Sequence, residues 1–112
     1  MENEDSPVIE IDDSGFDAIV AGQVRLVIDC WAPWCGDCRR MAPVFEELAR
    51  DNSGKIAFAK INVELNPGVK ERFEILAIPT LLIFREGKLV GRQVEPPPRK
   101  PVLQTQIDES LV

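Results

Sequence analysis

The chain has 112 residues and a formal charge of −6, with 45% apolar and 29% charged residues, the proportions of an ordinary globular chain near the commonest domain size. One domain over residues 1–112 is expected, with enough apolar material for its own core. The acidic balance excludes nucleic acid, whose phosphates need a basic face, and gives no attraction to an anionic membrane surface.

In chain order, the polar head Met1–Pro7 is expected to be a flexible tail. "MENEDSPVIEI" has neither a basic n-region nor an apolar h-region, so no secretory signal is expected. "VIEI" (Val8–Ile11) reads as a short strand, and "DDSGFDAIVAG" as a helix capped by Asp12, Asp13 or Ser14. "VRLVIDCWA" (Val24–Ala32) is an almost continuous apolar run, as a strand buried on both faces requires. From Cys35 to Asp51, Met41, Val44, Phe45 and Leu48 recur at helical spacing, with Pro43 removing one amide donor.

"KIAFAKINV" (Lys55–Val63) predicts another strand, and "NPGVKERF" a helix with Asn66 as cap and Pro67 at its first position. "TLLIF" and "KLVGRQV" flank "REGK", a hairpin turn. After the proline-rich "EPPPRKP", Val102, Leu103, Ile107 and Leu111 form a helical stripe. The order β-α-β-α-β-α-β-β-α predicts an α/β fold, a central mixed sheet flanked by helices on both faces. No apolar run approaches the length of a membrane span.

All three cysteines lie in "CWAPWCGDCRRMAP" (residues 30–43), and the chain has no histidine. Cys30, Cys35 and Cys38 are spaced as in the start of one iron–sulfur pattern, but the fourth thiol is missing. Zinc also wants four ligands, so no metal is expected unless two chains share a site. The redox reading needs only a helix beginning near Cys35. Cys38 then lies one turn along the same face, within disulfide reach. Cys35 stands where unpaired amides and the helix dipole favour an anion, which makes it the attacking thiol and Cys38 the resolving one. Gly36 keeps the turn slim enough for another chain to approach. An odd number of cysteines fits a reducing compartment, so a cytoplasmic protein is expected.

"WCGDC", with "VIDCWAP" before it and "CRRMAPVFEELA" after it, resembles the thioredoxin family. The likeness continues through "KIAFAKINVELNP" and "FEILAIPTLLIFREGKLVG", covering residues 8 to 93 in register, with the final helix also in place. The resemblance implies a thioredoxin fold and a thiol–disulfide oxidoreductase that reduces disulfide-containing proteins, acts as a monomer and is recharged by a thioredoxin reductase. Without a Gly-rich dinucleotide fingerprint, no organic cofactor is expected.

The same resemblance makes Asp29 the buried acid that exchanges protons with Cys38, and Lys60 its modulator. Read from residues alone, Asp29 could equally reach water at a strand end, and Lys60 could snorkel to solvent. The resemblance also implies a cis Ile78–Pro79 bond, with Pro79 lying against the cysteines and presenting backbone groups to the substrate. Trp34 is expected to line the substrate groove, Trp31 to be partly core, and Cys30 to be apolar filler.

Two departures from the family pattern stand out. Asp37 replaces the usual proline, and a carboxylate about 6 Å from Cys35 opposes its ionisation by roughly 0.7–3 kcal/mol. The helix terminus favours the anion by roughly 0.3–1 kcal/mol, up to about 2; Arg39 and Arg40 offset some of the repulsion, and the terms nearly balance. Oxidising relatives carry a histidine here that favours the reduced form, so an acid of opposite charge suggests a reductant. The second departure is Glu95 and Pro96–Pro98 in place of a glycine before the last helix. They should stiffen the far wall of the groove, which leaves a dedicated electron carrier for few partners, or a binding adaptor, as alternatives.

Overall fold

The apolar run Leu26–Cys30 is buried throughout because its strand, β2 (Arg25–Trp31), runs through the middle of a five-stranded sheet. The computed structural model describes residues 6–112. Strand β2 pairs in parallel with β3 (Ala57–Asn62) and antiparallel with β4 (Thr80–Arg85). Outside these lie β1 (Val8–Ile11), parallel to β3, and β5 (Lys88–Val94), antiparallel to β4, giving the order β1-β3-β2-β4-β5. The sheet is therefore mixed, as the element order predicts. Among the described residues no helix is long and apolar enough to cross a membrane.

Successive strand residues face opposite sides, and this alternation divides the apolar residues into two cores. Val27, Leu81 and Ile83 meet Met41 and Phe45 of α2 (Gly36–Asp51) and Leu103 and Ile107 of α4 (Lys100–Leu111). Leu26, Ile28, Cys30 and Leu82 meet Phe16 and Val20 of α1 (Phe16–Gly22) and Val69 of α3 (Pro67–Arg72). By the same alternation Asp29 falls on the α2 side and Cys30 on the other. Phe45 and Phe58 stack edge to face at 5.1 Å in the first core, and Phe16 meets Phe84 at 6.0 Å in the second, arrangements that aromatic quadrupoles favour.

One expectation is corrected. Asn66 sits at the cap position of α3 but makes no side-chain cap bond. Asp13 takes that part instead, its carboxylate accepting from the amides of Gly68 and Val69 at 2.8 Å each, while Asn66 Oδ1 accepts from Asp13 N at 2.8 Å. A Cβ at Gly68 would come within 2.8 Å of the Asp13 carboxylate, so glycine is what lets the acid approach. Asp13 belongs to the 3-10 turn Asp13–Gly15, which is capped in turn by Asp12. A partner so distant in sequence outcompetes the local cap because it supplies two acceptors aimed along the helix start.

Of the tail expected over residues 1–7, residues 1–5 lie outside the described residues. Ser6 is tied down: its hydroxyl donates to Glu46 Oε2 at 2.6 Å and accepts from Val8 N at 3.1 Å. The turn between β4 and β5 places Glu86 and Gly87 at φ 50° and 82°, the double left-handed turn that matches the twist of a tight hairpin.

Candidate active site

Strand β2 ends beside the start of α2, and the short loop between them carries Trp34 and Cys35. Cys35 is the N-cap of α2, with extended φ and ψ of −87° and 114°, and its sulfur accepts from Cys38 N at 3.1 Å. A sulfur in that position satisfies one of the orphan amides of the helix and feels the positive end of its dipole. All three cysteines are free thiols. Cys35 is only 7% exposed, deeper than an attacking thiol at a loop tip suggests, with its sulfur 3.8 Å from Ile78 O. Cys30 points into the α1–α3 core, away from Cys38, so the three sulfurs do not converge as a metal site would need. Burial, with the charge of Asp29, pushes its thiol up.

Behind the dithiol lies a small cavity with both apolar and charged walls. Burial, followed by the hydrogen bond with Cys35, pushes the Cys38 thiol up to about 12. Asp29 is 4% exposed, and burial lifts its carboxyl from 3.8 to about 7 against the opposing pull of Lys60. Asp29 and Lys60 are register partners across β2 and β3, and Glu10 on β1 is the next partner of Lys60. Asp29, Cys38, Trp31 and Lys60 line one cavity of about 80 Å³, with Glu46 also on its wall. Asp29 Oδ1 and Trp31 Nε1 have no partner there. The Lys60 ammonium lies 5.4 Å from the centroid of the Trp31 ring, close enough for a cation–π contact.

In front of the dithiol the site is open. Trp34 is 65% exposed and lines a depression of about 410 Å³ with Val63, Ile75, Leu76, Ile78 and Glu95. The Ile78–Pro79 bond is cis, the isomer the resemblance implies. Pro79 O accepts from Glu95 N at 2.8 Å, and Thr80, the first residue of β4, donates its hydroxyl to Ala77 O at 2.6 Å. A second hollow of about 200 Å³ is lined by Asp37, Pro79, Glu95 and Pro96–Pro98. Glu95 itself adopts φ 48°, a left-handed conformation that glycine takes without strain and glutamate does not. Asp37 is ion-paired with Arg40, while Arg39 Nη1 donates to Pro33 O at 2.9 Å. A Cβ at Gly36 would meet only guanidinium tips at 3.8 Å, so nothing in this chain demands glycine there.

The structure thus gathers Cys35, Cys38, Asp29, Lys60, Trp34, Gly36, Asp37, Ile78 and Pro79 around one turn. Sequence reasoning missed Leu76, which is 94% exposed at the rim of the larger depression. No local signal marked it, since the neighbouring Ile75, equally apolar and in the same irregular stretch, is buried in the core.

A family model described as Thioredoxin matches residues 7–109. The chain belongs to the thioredoxin family. Thioredoxins of Staphylococcus haemolyticus and Staphylococcus saprophyticus are each 44% identical to it over 87 residues, and one of Staphylococcus aureus is 42% identical over the same length. Each match spans 78% of this chain and 83% of the relative. As a thioredoxin-family member with adjacent free Cys35 and Cys38, the chain is a protein thiol–disulfide oxidoreductase.

Proposed function

We propose that the chain works as a reductant of protein disulfides, with Cys35 as nucleophile, Cys38 as resolving thiol and Asp29 as the base for Cys38. The observation that carries this reading is the placement of Cys35 Sγ at the head of α2, 3.1 Å from Cys38 N, with Cys38 and Asp29 on one buried cavity. The Cys35 thiolate attacks one sulfur of the target disulfide. That bond breaks, a Cys35–substrate disulfide forms, and the departing substrate sulfur takes up a proton. Cys38 then gives its proton to the Asp29 carboxylate and attacks Cys35 Sγ, expelling the second substrate thiolate. The target ends as two thiols and the chain as a Cys35–Cys38 disulfide, so two electrons have moved to the target.

A carboxyl lifted to about 7 accepts a proton far better than an ordinary aspartate, which supports Asp29 as that base. Lys60 holds positive charge beside it. The exposed Trp34, the groove floor at Ile78 and Pro79, and the slim Gly36–Asp37 turn receive the substrate segment. Residues 1–112 act as one domain and as a monomer in the cytoplasm, and a thioredoxin reductase restores the dithiol.

A second reading, a dedicated carrier for few partners, is favoured by the strained Glu95 and the proline wall of the smaller hollow. Insulin reduction by dithiothreitol, followed by turbidity, decides between them. Brisk precipitation is expected of a broad reductase. No acceleration, in a protein whose Cys35–Cys38 disulfide still forms and is reduced again, favours the specialist. A protein that never bridges these cysteines is neither.

A further inference from the structure

Arg40 and Asp37 meet in an ion pair on the first turns of α2, the spacing at which helical neighbours face each other. Both side chains are largely exposed, at 66% and 61%, and an exposed pair adds little to stability. Its position is what gives it a task. Asp37 is two residues from Cys35 and its carboxylate repels a thiolate there. It also has a reason to stay, since an acid in a first helical turn is favoured by the dipole. A cation near that same end is not favoured by the dipole, yet two are present. A Cβ at Gly36 would lie 3.8 Å from both Arg39 Nη2 and Arg40 Nη1, so both guanidinium groups stand over the residue next to Cys35. Arg39 Nη1 donates to Pro33 O, and Asp37 pairs with Arg40.

We infer that Arg40 is a positioning residue for the redox site: by holding the Asp37 carboxylate, it keeps that charge from opposing the Cys35 thiolate during attack. Arginine suits this better than lysine, because its guanidinium offers several donors in a plane to a carboxylate. Other charged groups also surround Cys35. Glu95 lines the smaller hollow together with Asp37, Glu64 and Lys70 line the larger depression with Trp34, and Asp29, Arg39, Glu46 and Lys60 line the cavity with Cys38. None of them pairs with Asp37 among the described residues.

The inference rests on Cys35 being the nucleophile proposed above. Its test is the rate of alkylation of the reduced protein by iodoacetamide from about pH 5 to about pH 9, with the modified cysteine identified by peptide mass. Arg40→Gln should slow alkylation of Cys35 about two- to fivefold near neutral pH, the scale of one exposed ion pair. The same change made on top of Asp37→Asn should alter the rate by less than about 1.5-fold, because no carboxylate then remains to be held. Arg40→Lys should fall between Arg40→Gln and the wild type, and added salt should narrow the gap.

Equal slowing in both backgrounds would show Arg40 acting on the sulfur directly, and no slowing in either would show no role; each overturns the inference. Alkylation falling mainly on Cys38 or Cys30 would overturn the assignment of the nucleophile instead, so the two failures are told apart.

Discussion

Asp29 and Asp37 lie on opposite sides of the Cys35–Cys38 turn, one 4% exposed with an unpartnered oxygen, the other with a 61% exposed side chain held by Arg40. Behind the dithiol, removal from water dominates: it lifts Asp29 to about 7 although Lys60 pulls the other way. In front, water and an arginine blunt the charge of Asp37, so its influence is set by geometry and screening. In the proposed mechanism the same residue type is a proton acceptor in one region and a surface tuner in the other. What separates them is the sheet alternation that turns Asp29 toward α2, and the helix start that turns Asp37 outward.

Changing Asp29 should give the largest effect. Its folded value of about 7 lies above its unfolded value of 3.8, so the folded state binds that proton more tightly. Stability therefore falls as pH rises from about 4 to about 7, by a total on the order of 4 kcal/mol. Asp29→Asn removes this loss: urea unfolding should show the variant more stable than the wild type at pH 8 by up to about 4 kcal/mol, with the difference disappearing near pH 4. Resolution of the mixed disulfide should meanwhile slow on the order of a hundredfold, the usual worth of a positioned base. A pH-independent stability difference would mean that burial does not govern Asp29.

On the open side the expected effects are smaller. Glu95→Gly relieves the left-handed backbone at φ 48° and should stabilise the protein by about 1 kcal/mol, measured in the same urea titration at pH 4 and pH 8. It also widens the wall of the smaller hollow, so insulin reduction should rise if that wall restricts partners. A destabilised variant would show that the Glu95 side chain contributes more than its backbone costs.

Much of this could be read before the fold was known, and for physical reasons. The apolar run of β2 announces burial on both faces, and the stripe of Met41, Phe45 and Leu48 announces α2; both signals are periodic and local. The C-x-x-C turn at a helix head is equally local. The cap of α3 was not readable, because the acid that fills it is more than 50 residues away and Asn66 looked suitable locally. Ser6 on Glu46 is likewise a single polar contact without period. For Asp29 the residues alone were ambiguous, since a lone acid in a strand can face either solvent or core. Only the family resemblance, and then the cavity shared with Cys38, separated the two.

The most direct measurement is the trapping of mixed disulfides by Cys38→Ser and Cys35→Ser variants incubated with oxidised insulin and analysed by intact mass. The Cys38→Ser protein should accumulate a covalent adduct through Cys35, because attack proceeds and resolution cannot, while Cys35→Ser should remain free. Adducts on Cys38 instead, or none on either variant, would contradict the assignment of attack to Cys35 and release to Cys38.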